Sequence, residues 1–294
     1  MSDTNSDNSE RYRLGRTYAA SSRLNLQHFL WKNAQGFLLH PVIQAQLRDR
    51  HEQSSNSGDN PFYLADLATG TGIWLFDLAK SSDSSGLNMQ YHGFDISRVL
   101  FPHNSWLPNN IVLSTSNVLA LPPQSLHGQF DVVHLRLVLP IVRSGSPKPI
   151  IQHIKMLLKP GGYVQWDEID IFNHYDVVTP DPNVDAPNMT AAFQKIKDLA
   201  DWSWIKRLPQ TLAEEGFEKA VQHHYEPGPE MFMAWAHMNL CTAEDLSLNW
   251  FDQDDEEDGE EWRKLLPKAC EESDEPIRAG HNAHPTITIA MKPL

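Results

Sequence analysis

The run Leu64-Ala65-Asp66-Leu67-Ala68-Thr69-Gly70-Thr71-Gly72 constrains this chain more than any other stretch. An apolar segment over 62–67 passes at once into Ala-x-Gly-x-Gly and then into apolar residues over 73–79. That order reads as strand, glycine-rich turn, helix. The alternation recurs downstream. Strands are expected at 89–94, 111–114 and 130–135, and a fifth begins at 163–166. A helix over 149–158 is stopped by Lys159-Pro160-Gly161-Gly162. Strands alternating with helices build a mostly parallel sheet with crossover helices on both faces, a doubly wound α/β fold.

The flanks differ from this centre. Residues 1–10 read as a polar tail, and 11–60 as a helical cap in which Leu24, His28 and Trp31 recur at helical spacing. The main domain then runs over 61–294, with cap insertions expected at about 173–208 and 228–280. Within it, 173–188 is rich in Pro, Asp and Asn and reads as an extended loop. Helices are expected over 189–204 and 208–215, the second closed by Gly216 just past its end. A strand over 217–225, a Met- and Trp-rich helix over 230–240, a short helix near 262–269 and a strand over 286–291 complete the chain. The two late strands pair as an antiparallel edge.

Composition excludes several roles. The net charge of −14 argues against nonspecific nucleic-acid binding, which needs cations against phosphates. It argues equally against an anionic membrane surface. No apolar run is long enough to span a bilayer, and the acidic N-terminus lacks the character of a signal or transit peptide. Cys241 and Cys270 form no disulfide framework, so a cytoplasmic location is expected. Asp252, Asp254, Asp255, Glu256, Glu257, Asp258, Glu260 and Glu261 form one acidic block, read either as a solvated loop or as a patch for a protein partner. His223, His224, His281 and His284 lack companions at ligand spacing, so no metal site is expected. No G-x-S-x-G elbow of a hydrolase is present.

The glycine-rich turn points to a ligand. Gly70 and Gly72 lack side chains, so a bound molecule can approach the backbone. A dinucleotide fingerprint needs a third glycine or alanine, and Leu75 stands there instead. Asp66, two positions before Ala68, would repel a pyrophosphate but suits a ligand with a cationic amino-acid end. Asp95, in Gly93-Phe94-Asp95-Ile96-Ser97, follows Gly72 by 23 residues at the end of the second strand. A carboxylate there can accept both hydroxyls of a ribose. It can also cap a helix.

In order, DLATGTG, GFDIS, FDVVHLR and LKPGGYVQWDE resemble the motifs of class I S-adenosylmethionine-dependent methyltransferases. The similarity is greatest to a fungal group of small-molecule methyltransferases of secondary metabolism and a related regulator of such gene clusters. It covers residues 11 to 166 well and the remainder weakly. The resemblance implies a Rossmann-like sheet of seven strands and S-adenosylmethionine as cofactor. Asp66, Ala68, Gly70 and Gly72 would line its methionine end, with His134 near the methyl. Asp95 would hold the ribose, Ile96 would pack on the adenine, and Asn117 and Val118 would lie at the adenine edge. Tyr18 would close the site from the N-terminal segment that also carries Tyr12 and Arg16. Ala68 departs from the glycine usual in this loop, a change tolerated with a negative φ. Asn117 departs from the usual aspartate but keeps a carbonyl acceptor.

Catalytic expectations fall on His134, Glu168 and His237 as base candidates. Arg136 either orients an acidic substrate or pairs with a carboxylate. Trp166, Met231, Trp235 and Met238 are expected to contact an apolar substrate, since thioethers and aromatics suit adaptable pockets. The resulting expectation is O-methylation of an apolar small molecule. Two alternatives stay open: a cofactor-binding protein that catalyses a non-methyl step such as a pericyclic one, and a regulatory protein-binding module. A second copy of the chain, or a partner at the acidic block, is the expected macromolecular contact.

Overall fold

A computed structural model describes residues 14–54, 60–142, 145–248 and 256–294. Two helices lead, α1 (Tyr18–Gln35) and α2 (Pro41–Ser54). Thr17 caps α1 by accepting from the Ala20 amide, and Gly36 closes it in the left-handed conformation. The sheet then begins with β1 (Phe62–Leu67), α3 (Ile73–Leu78), β2 (Met89–Asp95), β3 (Ile111–Thr115) and β4 (Phe130–Arg136). After α4 (Lys148–Leu157) come β5 (Leu158–Ile169), β6 (Tyr175–Val178), α5 (Pro187–Asp198), α6 (Trp204–Glu214) and β7 (Glu218–His224). The chain ends with α7 (Phe232–Leu246), α8 (Glu256–Ser273), β8 (Gly280–Ala283) and β9 (Pro285–Met291).

Seven strands form one sheet in the order β3-β2-β1-β4-β5-β9-β7. The first five are parallel, and β9 runs antiparallel between β5 and β7. The order reverses between β1 and β4, so a crevice opens at the carboxyl ends of those two strands. Strand alternation sends side chains to two cores. Leu64, Val132, Tyr163, Ile287 and Ile289 pack against Trp74, Leu75 and Leu78 of α3 and Ile43 and Leu47 of α2. Ala65, Leu67, Val133, Leu135, Val164 and Trp166 pack on the opposite face, against Ile150 and Ile154 of α4 and Leu208 and Leu212 of α6. Each such buried aliphatic side chain contributes roughly 1.5–3 kcal/mol.

Four expectations need correction. The helix expected over 189–204 ends at Asp198, and α6 starts at Trp204. Two side chains make the break: Asp201 accepts from the Ser203 amide, and the Trp202 indole donates to the Lys197 carbonyl. Pro209 lies inside α6, where it cannot donate to the Ile205 carbonyl. The Gln222 side-chain Nε2 donates to that carbonyl instead, at 3.0 Å, which ties the helix to β7. The expected loop over 173–188 contains β6, which pairs with β8 in a second, two-stranded sheet. The short helix near 262–269 is an 18-residue helix, Glu256–Ser273. Its Glu272 carboxylate accepts from the Asn188 and Met189 amides, capping α5 from another helix. The Met- and Trp-rich helix extends to Leu246. Tyr12, the expected tail over 1–10, and Asp252, Asp254 and Asp255 of the acidic block lie outside the described residues. No helix among the described residues is long and apolar enough to cross a membrane.

Candidate active site

The crevice between β1 and β4 opens into a cavity of about 540 Å³. Its floor is the turn after β1. Gly70 and Gly72 both have positive φ, 58° and 80°. A Cβ on Gly72 would meet Phe76 at 2.9 Å, and one on Gly70 would meet Leu24 at 3.2 Å. Ala68 also has positive φ, 53°, so the condition under which alanine is tolerated there is not met. The left-handed conformation costs a residue with a Cβ roughly 1–2 kcal/mol. Ala68→Gly should therefore stabilise the protein by up to about 1 kcal/mol, the reverse of the usual effect of a new glycine. Urea unfolding measures it, and an unchanged or lowered midpoint would contradict the strain.

Asp95 closes the turn from the next strand. One carboxylate oxygen accepts from the Gly70 amide and the other from the Ser97 amide, each at 3.0 Å. Burial raises its pKa, opposed by those two amides and by the nearby Arg16. Ile96 and Asn117 continue the cavity wall, with Val118 nearly buried behind them. The Asn117 side-chain Oδ1 accepts from the Leu119 amide at 2.9 Å, leaving one lone pair for a ligand.

At the ends of β1, β4 and β5 lies a buried charge cluster. Register sets it up: Asp66 neighbours His134, and Arg136 neighbours Asp167. His134 Nδ1 lies 2.7 Å from Asp66, and Nε2 lies 3.3 Å from Asp167. The ring also stacks on Trp74, with centroids 3.6 Å apart and planes at 3°. Burial works against its charge, but hydrogen bonds to Asp167 and Asp66 outweigh it and raise its pKa. Asp66 further accepts from the Thr69 hydroxyl. Asp66 and His134 line a small recess that adjoins the main cavity. Both nitrogens of His134 are held by carboxylates, so the geometry offers no free nitrogen for a general base.

The remaining expected residues divide. Trp235 and Met238 line the cavity, together with Asn239, Thr242 and Leu246 on one face of α7. His237 is exposed on the other face, and Met231 does not line the cavity. Trp166 and Glu168 alternate away from His134 into the core under α6. The Glu168 carboxylate accepts from the Trp166 indole and the Val138 amide, both at 3.0 Å, and burial pushes its pKa up to about 8. It holds the turn after β4 rather than facing the cavity. Tyr18 is 89% exposed, while Leu14, Gly15 and Arg16 reach the cavity instead. Asp245 of α7 anchors that segment by accepting from the Gly15 amide and pairing with Arg23 at 3.3 Å.

Several lining residues carry no site signal in the sequence. Leu24, Gln27 and Trp31 come from one face of α1, and Trp31 packs on Trp235 with centroids 4.8 Å apart. Ile169, Tyr175, Ile196 and Trp202 build the far wall. The helical spacing of Leu24 and Trp31 is visible in the sequence, but Trp235, the partner across from it, is not. Among the described residues no group of three His, Cys, Asp or Glu side chains could hold a metal ion.

The donor set fits S-adenosylmethionine. Asp95 retains a lone pair on each oxygen for a ribose diol, Ile96 and Val118 offer apolar contact for a base, and Asp66 suits an ammonium. The fold and this site define a Rossmann-like protein of the methyltransferase type. Residues 38–247 match the family model described as a methyltransferase domain, and the chain belongs to that family. It is similar to methyltransferase grgD of a Penicillium species, 39% identical over 111 residues, covering 36% of this chain and 38% of that protein. It is also similar to N-methyltransferase verN of Clonostachys rogersoniana, 29% identical over 154 residues, 52% of this chain and 48% of that protein. The chain thus spans less than half the length of these two relatives. A chain of the solved Haloferax volcanii complex that contains the Trm112 methyltransferase activator shares the fold, with TM-score 0.50 and 14% identity. The match covers 97% of this chain and all of that one.

Proposed function

We propose that this protein transfers a methyl group from S-adenosylmethionine to an oxygen atom of an apolar small molecule of secondary metabolism. One observation carries the reading: a polar cofactor floor at Gly70 and Asp95 opens directly onto an apolar, aromatic chamber lined by Trp31, Trp202, Trp235 and Met238. When bound, S-adenosylmethionine supplies an electrophilic methyl whose S–C electron pair returns to sulfur as the acceptor's lone pair takes the carbon. The chain's own part is to orient and to exclude water. Asp95, itself held by the Gly70 amide, would hold the ribose, Asp66 would face the ammonium, and the chamber walls would hold the acceptor behind the methyl. Orientation and desolvation of this kind lower a barrier by roughly 7–11 kcal/mol.

The test is incubation of the purified protein with methyl-labelled S-adenosylmethionine and a panel of apolar phenols, enols, carboxylic acids and secondary amides. Carbon NMR distinguishes an O-methyl from an N-methyl product. Label on oxygen supports the reading. Label on nitrogen favours the second reading, N-methylation, suggested by the name of the Clonostachys relative. Label in no acceptor would overturn both.

A further inference from the structure

Within the reading of the apolar chamber as the acceptor site, we infer that Arg136 holds the methyl acceptor as an oxygen anion, so that the acceptor is an apolar acid. The cavity lacks a free base. Its titratable lining residues among those described are Arg16, Arg23, Asp95, Arg136 and Tyr175, with Asp66 and His134 in the adjoining recess. Asp95 is engaged by Gly70 and Ser97, and Asp66 by Thr69 and His134. Burial raises the Tyr175 pKa, and its hydroxyl donates to Asn239. None of these groups is a free base. An acceptor that needs deprotonation in the site has nowhere to send its proton. An acceptor that arrives as its anion has no proton to lose.

Arg136 is built to receive such an anion. It lies at the tip of β4 and lines both the main cavity and the recess, at the junction of the cofactor floor and the apolar chamber. Its two terminal nitrogens reach only the Nδ1 of His28, each at 3.5 Å. Its guanidinium also lies over Trp31, 5.9 Å from the ring centroid. Burial, and the Arg136 charge itself, lower the His28 pKa to about 4, so the ring is neutral. Its Nε2–H then donates to Asp77 at 2.9 Å, which leaves the Nδ1 lone pair toward Arg136. That contact orients the guanidinium without neutralising it. Among the described residues no carboxylate comes within 4 Å of Arg136, whereas Arg23 is paired with Asp245. The two carboxylates whose charge Arg136 feels, Asp167 and Asp66, are both hydrogen-bonded to His134. A half-buried guanidinium with several unused donors favours a planar oxyanion. Trp31, Trp235 and Met238 then supply the apolar contact for the remainder of the molecule.

The experiment uses 2-naphthoate and its neutral analogue 2-naphthamide as probes, titrated with and without S-adenosylhomocysteine, with the cavity tryptophans as fluorescence reporters. The wild-type protein should prefer the carboxylate by roughly ten- to hundred-fold, the size of one charge-assisted hydrogen bond. Arg136→Gln should bring the two probes within about two-fold of each other, and Arg136→Lys should keep part of the preference. Thermal melts check that both variants fold. Equal affinities in the wild type, no binding of either probe, or a preference that survives in Arg136→Gln would overturn the inference. A further outcome also overturns it: Arg136→Gln weakens S-adenosylhomocysteine while the probe preference stays. The guanidinium would then hold the cofactor's own carboxylate. The cofactor-free titrations separate failure here from failure of the methyltransferase reading, because the anion preference does not require the cofactor.

Discussion

His134→Ala is expected to lower folding stability by about 3–5 kcal/mol, the cost of breaking a buried ion pair and stranding its partner charge. The ring is 1% exposed and bridges two buried carboxylates, Asp66 and Asp167. Removing it leaves both carboxylates facing a void, and Trp74 loses its stacking partner. Arg136 feels the charge of both carboxylates but makes no ion pair with either. The pH dependence has a definite sign. A histidine whose pKa is raised on folding stabilises fully below its unfolded value near 6.5. That contribution is lost as pH rises through the folded value. The stability gap between wild type and variant should therefore be widest near pH 6 and narrow on the alkaline side. Urea unfolding of both proteins from pH 6 to 9 measures it. A gap under about 1 kcal/mol at pH 6 would contradict a charged bridge, since loss of a neutral contact costs about that much.

The same cluster shows where sequence reasoning stops. The turn after β1 was legible because two glycines, an acid and a switch from strand to helix coincide within nine residues. Asp95 was legible from its distance to that turn. The role of the β5 residues depends on parity, which one residue of register reverses. Trp166 and Glu168 share a face with Val164 and lie in the core, whereas Asp167 shares the face of Gln165 and meets His134. No sequence pattern fixes that parity, because both faces of a doubly wound sheet are buried. On α7, likewise, Trp235, Met238, Asn239, Thr242 and Leu246 face the cavity while Ala236, Leu240 and Ala243 pack in the core, and the direction comes from docking on Trp31. His237 and Met231 fall off that face. The sign of φ at Ala68 was beyond reach, since the conformation is imposed by the turn and not chosen by alanine. The break at 199–203 depends on capping by Asp201 and Trp202, whose partners are set only once the chain has folded.

Asp95→Asn carries the second large effect. The carboxylate joins three elements of the site: the Gly70 amide, the Ser97 amide and the open cavity. Asparagine keeps the size but replaces one acceptor oxygen by a donor. That nitrogen must then face either the Gly70 amide or the Ser97 amide, and the charge that would meet a ribose diol is gone. Burial already raises the Asp95 pKa, so the ionised form is maintained by its amides and by Arg16. A loss of one to two charge-assisted hydrogen bonds predicts binding weakened by roughly ten- to hundred-fold or more.

The most direct measurement is calorimetric titration of S-adenosylhomocysteine into the wild-type protein and into Asp95→Asn. One site per chain is expected in the wild type, with at least about ten-fold weaker binding in the variant. Absence of binding to the wild type, or equal affinity in the two proteins, would contradict the cofactor site on which the account rests.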